Sequence, residues 1–453
     1  SPVTDDSLSD LVTTNNGPIK LVTANGSITI EDGDSDGFGV SAHGTGDVLL
    51  EARGTGSDVT LNSDVLSGTG HISIVAADSV VITNDVRTAG AGSVLVEAQA
   101  GSVTLSDADA NTTGIEAANG DILIRAATDI TLGAQVETTG TGDIGVVAGN
   151  DVLWDSTIQY ANGRGLFVDA GRDVVMGASN VSGPMSPGGN ILVNAGRDLV
   201  VGQLFAGNVA LQAGRNISDA GADFVTNVSA TNLRMVAGGR IGAFDAGNSD
   251  RTTNVNAIDM QVTNVAAQSA TGIYLLEVAA GGDVTVTDVP TVTVNVSVSQ
   301  VEFRSTLNGV AESGTLAGRA DLVTTNDGAI TLVTENGSIT IEDGDAVPEA
   351  GLEFINDGNG VRVSGTTPGG AVDAGDILLA AGGTGNLTLL ADVESSNPMR
   401  EIDPLFSKVT NATEVLTDRV TVEDASDFAI GDRIRIQHDT VNARDFIIIG
   451  KTG

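Results

Sequence analysis

Short apolar segments with polar residues between them recur along most of the chain. Segments such as "GSVLVEAQAGSVTL", "GDILIRAATDITL" and "GNILVNAGRDLVV" share one order: a glycine, a small polar residue, a short apolar strand, an alanine or glycine corner and a second short strand. Alternate side chains of a strand point to opposite faces, so such a segment buries one face. The pattern predicts many short β-strands joined by tight corners, and no long helical period is present.

The predicted strands recur at a nearly regular spacing. They begin at Ile72, Val94, Ile122, Ile144, Leu166 and Ile191. Starts that lie roughly 22 to 28 residues apart, with three short strands and a variable loop in each period, are typical of a solenoid. Rungs stacked about 4.8 Å apart would pair their backbones. We therefore expect an all-β fold, a right-handed parallel β-helix. Stacked immunoglobulin-like sandwiches are the alternative, but they require longer strands and larger core residues.

A second, longer repeat contains the short one. "DLVTTNNGPIKLVTANGSITIEDGD" begins at Asp10 and "DLVTTNDGAITLVTENGSITIEDGD" begins at Asp321, so the two copies lie 311 residues apart and differ at four of 25 positions. The likeness ends at about Ser396. We predict four regions: a solenoid unit (1–290), a junction strand with a connector (291–320), the start of a second solenoid unit (321–396) and a small hairpin-rich β-module (397–453).

One segment alternates more strictly than the others. "TVTVNVSVS" places Val292, Val294, Val296 and Val298 on one face. We interpret it as a junction strand inside the fold that closes one solenoid unit against the next. The alternative is a pairing edge for assembly.

Composition narrows the classes of function. The chain has no cysteine, 3% aromatic residues, and 59 acidic against 21 basic residues, which gives a net charge of −38. Disulfides and cysteine-ligated zinc are therefore excluded, and nucleic acid and anionic lipid would be repelled. Cations are the natural partners, and the charge also favours solubility. No apolar run predicts a membrane span, and His43, His71 and His438 lack the spacing of metal ligands. We expect the chain to be a piece of a longer protein.

An acidic loop follows the first copy of the repeat. In "DGDSDG", Asp32, Asp34 and Asp36 occupy positions one, three and five of a calcium loop, and Gly37 occupies position six. Position twelve is His43, where an EF-hand requires a bidentate glutamate, and no helices flank the loop. The sequence therefore excludes an EF-hand but leaves a calcium site possible.

The second copy provides a comparison for this loop. It keeps Asp343 and Asp345 but has Val347 in place of the third aspartate, where Glu349 or Glu353 could substitute. Two interpretations stay open: a calcium ion that staples the solenoid at Asp32, Asp34 and Asp36, and a solvated acidic turn.

Two further clusters contain side chains that could bind a ligand or catalyse a reaction. "NDVLWDSTIQYANGR" brings together the carboxylates and aromatic residues that a carbohydrate-cleaving enzyme needs, namely Asp151, Trp154, Asp155, Tyr160 and Arg164. We interpret this cluster as a thickened rung, in which Trp154 and Asp155 face opposite sides. The "AGRD" and "AGRN" corners at Arg172, Arg197 and Arg215, next to Asp173, Asp198 and Asn216, form either a ladder of turns or a strip that binds carboxylates or acidic sugars.

The rungs resemble those of a known group of proteins. "GDILIRAATDITLG" and "GGNILVNAGRDLVVG" resemble the coils of filamentous-haemagglutinin-type adhesins, and the 311-residue unit resembles the giant repetitive surface proteins of bacteria. The resemblance covers most of residues 10–396. It implies an exported β-solenoid at the cell surface or outside the cell that acts as a stalk, adhesin or matrix element. The implied partners are neighbouring repeats, a surface glycan, or a receptor on a host or partner cell.

The sequence therefore predicts a non-enzymatic, extracellular structural segment. A rigid stalk is the leading hypothesis. A self-assembling filament or matrix protein is the first alternative, and a carbohydrate-active β-helix enzyme is the second.

Overall fold

The computed structural model describes most of the chain. The described residues are 10–395, apart from 34–36, 107–112, 161–163, 178–180, 185–188, 222–224, 245–254, 279–281, 305–306, 345–357, 365–374 and 376, together with 434–437 and 443–446. Strands, turns and connecting segments make up this part of the chain, and it contains no helix. The chain divides into two compact units, Ser1–Gly196 with Thr293–Thr315, and Arg197–Val292 with Leu316–Gly453.

The first unit is a solenoid of three columns of parallel strands. The first column contains β1 (Leu11–Thr13), β4 (Phe38–Ala42), β7 (Asp64–Ser67), β10 (Val86–Thr88), β13 (Thr113–Ala117), β16 (Gln135–Thr138), β19 (Ile158–Tyr160) and β22 (Val181–Pro184). The second contains β2 (Ile19–Thr23), β5 (Val48–Ala52), β8 (Ile72–Ala76), β11 (Val94–Ala98), β14 (Ile122–Ala126), β17 (Ile144–Ala148), β20 (Gly165–Ala170) and β23 (Asn190–Ala195). The third contains β3 (Ile28–Ile30), β6 (Val59–Leu61), β9 (Val80–Ile82), β12 (Val103–Leu105), β15 (Ile130–Leu132), β18 (Val152–Trp154) and β21 (Val174–Met176). The chain visits the columns in turn, so one strand from each makes a rung.

The six predicted strand starts lie in one register. Ile72, Val94, Ile122, Ile144, Leu166 and Ile191 pair from rung to rung along the second column, and all six are fully buried. At the other end of the same strands, a column of alanines from Ala52 to Ala195 is also buried. A methyl group fills the corner without crowding the rung above. The predicted all-β parallel solenoid is confirmed.

The second unit is also built of parallel strands, three of which are long. Its strands are β24 (Leu199–Val201), β25 (Gln203–Ala213), β26 (Ile217–Asp219), β27 (Val228–Ala237), β28 (Arg240–Ile241), β29 (Ile258–Ser269), β30 (Gly272–Glu277), β31 (Val284–Val286), β34 (Leu322–Thr324), β35 (Ala329–Thr334), β36 (Ile339–Ile341), β37 (Asn359–Val363), β38 (Ile377–Ala381), β39 (Leu387–Leu389) and β40 (Asp392–Ser395). β25, β27 and β29 stack in parallel along nine register positions each. An asparagine ladder joins them, since Asn232 donates to Asn208 and Asn264 donates to Asn232.

Two strand pairs lie outside these parallel columns. β32 (Val292–Gln300) and β33 (Asn308–Leu316) form a two-stranded hairpin. β41 (Ile434–Gln437), which lies in the segment predicted as a hairpin-rich module, pairs antiparallel with β42 (Ala443–Phe446). Apart from these last two strands, residues 396–453 lie outside the described part of the chain, so the predicted module there stays a prediction.

Candidate functional site

The outer surface of the second strand column in the first unit is apolar. Its outward positions are in register from rung to rung: Leu49, Ser73, Leu95, Leu123, Gly145, Phe167 and Leu192. Each of the leucines and the phenylalanine in this set is at most 5% exposed. A solenoid face that pointed into water would be polar at these positions. Another part of the chain must therefore cover the column.

The hairpin of β32 and β33 covers it. Val294, Val296 and Val298 are 3%, 0% and 2% exposed. An added Cβ at Gly165 would lie 2.7 Å from a Val294 methyl group, and one at Gly145 would lie 3.3 Å from a Val296 methyl group. At Gly165 the Val294 methyl group occupies the space that a side chain would need, and at Gly145 that space is limited by a Leu123 methyl group at 2.9 Å as well as by Val296.

Hydrogen bonds fix the hairpin to successive rungs. Alternate backbone amides of β32 and the residue after it donate to polar side chains of three rungs: Ser297 to Asp121 Oδ2 (2.7 Å), Ser299 to Ser93 Oγ (2.9 Å) and Val301 to Ser73 Oγ (2.9 Å). Asn190 Nδ2 donates to the Thr293 carbonyl at 3.0 Å. On β33, Glu312 forms an ion pair with Arg125 (3.3 Å). The hairpin thus binds the rungs from β8 to β23 together.

The strand at 292–300 was predicted from its alternation, and its four valines are all buried. The sequence predicts a junction between solenoid units, and this role stays a prediction. In the structure, residues 293–300 lie over the outer face of the first unit. A continuous apolar run such as "VLV" or "LFV" in the solenoid strands was the available signal, because it indicates burial on both faces.

Aspartates at the corners form vertical ladders. The side chain of the residue before a strand accepts a hydrogen bond from the backbone amide of the equivalent residue in the next rung. Such bonds join His71 to Asp47 (2.9 Å), Ser79 to Asp58 (3.0 Å), Asp143 to Asp121 (2.9 Å), Asp151 to Asp129 (3.1 Å) and Asp173 to Asp151 (3.1 Å). The second unit repeats the device where Ser338 donates to Asp283 (2.7 Å). These aspartates therefore satisfy backbone amides at the corners, where the strands break.

Arginines pair with some of these corner carboxylates. Arg172 Nε donates to Asp151 (2.6 Å), Arg164 Nη2 to Asp143 (2.8 Å), and in the second unit Arg215 Nε to Asp198 (2.8 Å). The Arg215 hydrogen bond lowers the pKa of Asp198. Burial raises the pKa of Asp143 in spite of Arg164 and the Gly165 amide. The "AGRD" and "AGRN" arginines at 172 and 215 are thus engaged in a ladder of turns.

The predicted calcium loop is described only in part. Asp32 Oδ2 accepts the Gly37 amide at 3.0 Å, which closes the turn. Asp34 and Asp36 lie outside the described residues, as do Asp345, Val347, Glu349 and Glu353. Within the described ranges, no group of three or more histidines, aspartates or glutamates is placed to hold a metal ion. Calcium at Asp32, Asp34 and Asp36 stays a prediction.

In the candidate carbohydrate-cleaving cluster, Trp154 is buried and Asp155 is exposed. Trp154 is 1% exposed inside the solenoid, where its indole Nε1 donates to the Ser156 carbonyl at 3.1 Å. Asp155 is exposed, which agrees with the prediction that these neighbours face opposite sides. Asp151 and Arg164 serve the ladders described above. Tyr160 ends β19, and its side chain lies outside the described part of the structure.

Of the histidines, His71 lies at the corner directly before β8. Its Nδ1 accepts the Ser93 amide at 3.0 Å and lies 2.9 Å from Ser93 Oγ. His43 lies just after β4, and His438 lies outside the described residues.

No helical segment in the described part of the chain has the length and apolar character needed to cross a bilayer. Comparison with protein-family models, with curated proteins and with solved structures finds no match. What the structure defines is therefore a class of fold, a parallel β-solenoid with a hairpin bound to its outer face.

Proposed function

We propose that this chain is a rigid, non-enzymatic stalk segment of a repetitive bacterial surface protein, exported from the cell. The observation that carries the proposal is the hairpin. It covers the apolar outer column of the first unit and is bonded to one rung after another, so this face is closed by the chain itself and its rungs are held together. The −38 charge supports a segment that stays soluble in a crowded surface layer.

The absence of catalysis is part of this proposal. A sugar-cleaving site needs an accessible aromatic residue and a poised pair of carboxylates. Trp154 is buried, and Asp151 accepts both the Asp173 amide and the Arg172 guanidinium. We expect the full chain to release no oligosaccharide from a panel of acidic polysaccharides. Release that disappears in Asp151→Ala but persists in the matched Asp129→Ala variant would overturn this part.

The stalk is tested by light scattering of the full chain, first in a chelator and then in millimolar calcium. We expect a monomer of 45.5 kDa in both solutions, with a hydrodynamic radius above that of a compact protein of the same mass. Calcium that staples Asp32, Asp34 and Asp36 would raise thermal stability without changing the mass. The variant with all three changed to Asn should lose that gain, whereas Asp343→Asn should keep it.

Self-assembly is the second candidate, and one observation favours it. Leu11 and Val12 in β1 are 43% and 47% exposed, which is high for a parallel strand. If this edge pairs between chains, the mass in light scattering should rise with concentration. Fibres at low micromolar concentration would overturn the stalk proposal.

A further inference from the structure

The two copies of the 25-residue repeat differ in their neighbours. In the first copy, β1, β2 and β3 pair with β4, β5 and β6 of the next rung. In the second copy, β34, β35 and β36 pair with the following rung and also with β29, β30 and β31 of the preceding rung. Within the described ranges, the first copy therefore has one edge without a paired strand.

Backbone donors mark this edge. In the second copy, three amides donate to carbonyls of the preceding rung: Thr325 to Ser269 (3.0 Å), Glu335 to Glu277 (2.9 Å) and Glu342 to Val286 (2.9 Å). The equivalent residues of the first copy are Thr14, Ala24 and Glu31. No backbone carbonyl of a described residue accepts their amides. The edge thus presents the donors that the second copy uses to join its neighbour.

The side chains that face the core are the same in both copies. The identical pairs are Leu11 and Leu322, Thr13 and Thr324, Ile19 and Ile330, Leu21 and Leu332, Thr23 and Thr334, Ile28 and Ile339, and Ile30 and Ile341. Leu322 is fully buried, whereas Leu11 is 43% exposed. The first copy therefore keeps the whole apolar surface that packs on a preceding rung in the second copy.

The four differences lie away from the positions that face the core. Asn16 and Asp327 both adopt a left-handed conformation with φ 55°, which these residues tolerate. Pro18 replaces Ala329 and has no backbone N–H. The register partner of Ala329 is Gly272, which has no side chain that could accept such an N–H, so no ladder bond is lost. Lys20 in place of Thr331 points outward, and Ala24 in place of Glu335 lies at a corner. None of the four faces the core.

We propose that the edge of β1–β3 docks a rung whose strands have the sequences of residues 267–269, 272–277 and 284–286, provided by another copy of the 311-residue unit. In the register of the second copy, Ala267 faces Leu11, Ile273 faces Ile19 and Val284 faces Ile28. The partner is a strand-bearing rung that supplies carbonyls and an aliphatic core surface. This inference rests on the proposed stalk, because it specifies how one unit of the stalk joins the next.

Cysteine labelling tests the docking, because the natural chain has no cysteine. In the full chain, we expect Leu11→Cys to react quickly with a soluble maleimide and Leu322→Cys to react at least about 100-fold more slowly, since labelling then requires local opening. The decisive chain carries residues 10–320 twice in tandem, ahead of the rest. A single Leu11→Cys in its second copy should react as slowly as Leu322→Cys, whereas the same change in its first copy should react quickly.

Equal, fast labelling of both copies in the tandem chain would overturn the docking. Slow labelling of Leu11→Cys in the single full chain at low concentration would also overturn it, because the edge would not be open. If slow labelling appears only at high concentration, a second chain covers the edge with some other segment, because its own β29–β31 already pair with β34–β36, and the proposed occupant is wrong. Val12→Cys with Val323→Cys, which are 47% and 6% exposed, repeats the test at a position that leaves the core leucine in place.

This experiment separates the two proposals. Slow labelling of Leu11→Cys in the second 10–320 copy of the tandem chain, together with a monomer in light scattering, supports both the docking and the stalk. Slow labelling there together with fibres supports the docking and rejects the stalk. Fast labelling there in a monomeric, elongated chain rejects the docking alone.

Discussion

The segments at 10–34 and 321–345 are nearly identical in sequence, but their described residues lie in different environments. Leu11 and Val12 are 43% and 47% exposed in the first copy, whereas Leu322 and Val323 are 0% and 6% exposed in the second. The difference arises because the second copy has a rung on both sides and the first has a described rung on one side only. In a solenoid, burial is thus a property of the neighbouring rung as much as of the local pattern.

The largest expected effect tests this difference in the core. Leu322→Ala removes a fully buried side chain between two rungs and should cost about 3 kcal/mol of the free energy of unfolding. Leu11→Ala is the matched control and should cost less than about 1 kcal/mol, because less of its surface leaves water on folding. Urea unfolding of the full-length variants measures both. Equal losses would mean that the edge at Leu11 is covered in solution.

Exchanging Thr331 of β35 with its counterpart Lys20 of β2 should produce a smaller effect. Thr331 is 3% exposed between Tyr274 and Leu378 in the register, so Thr331→Lys would bury an ammonium group and should cost about 2 kcal/mol. Lys20 at the equivalent position donates to the Glu302 carbonyl of the hairpin loop, so Lys20→Thr should cost about 1 kcal/mol. Thermal unfolding of the two variants compares them. A harmless Thr331→Lys would show that this face of the second unit is open.

Amide exchange sharpens the comparison without a mutation. The Glu342 amide donates to Val286, so it should exchange at least about tenfold more slowly than the Glu31 amide. Ile28 and Ile339 provide the control, because both donate to the following rung at 2.9 Å. Their exchange rates should be similar. If Glu31 is protected as strongly as Glu342, another segment or chain pairs with the first edge.

The smallest expected effects concern the corner carboxylates Asp198 and Asp143, each of which accepts a hydrogen bond from an arginine. The lowered pKa of Asp198 gives stability at neutral pH that is lost as the pH falls through the folded value. The raised pKa of Asp143 works the other way, because the folded state holds its proton more tightly and stability falls as the pH rises through the raised value.

Asn variants separate the two groups. Relative to the natural chain, Asp198→Asn should be less stable at neutral pH than in acid, by less than about 1 kcal/mol because Arg215 is exposed. Asp143→Asn should gain relative stability as the pH rises, since Asn keeps an acceptor for the Gly165 amide. Urea midpoints measured across the acidic range test the signs. The same pH dependence in both variants would contradict the opposite shifts.

The solenoid could be predicted from the sequence because each rung repeats a local pattern. Ile72 and Val94 begin strands at the predicted positions and pair directly, since the glycine and alanine corners return the chain to the same place in every rung. The second copy of the long repeat forms the three short strands β34, β35 and β36, as the first copy forms β1, β2 and β3. Local spacing was sufficient for this part of the fold.

The hairpin's location and the corner ladders could not be predicted in the same way. Alternation at Val294 and Val296 indicates a strand with one apolar face, but the surface that it covers lies far away in sequence, at Gly145 and Gly165. In the sequence, nothing distinguishes Asp121 and Asp143 from surface charge, because their hydrogen bonds depend on which residues stack in the neighbouring rungs. Both features are set by contacts between distant segments.

The hairpin also determines how the first unit would respond to tension. β32 is a continuous, extended backbone that crosses several rungs, and an extended strand is already close to its maximum length. Rungs that separate along the stacking direction would therefore have to pull away from Ser297, Ser299 and Val301. A load on this unit is shared between the bonds that join the rungs and the hairpin that spans them, and single rungs are not free to peel away one at a time.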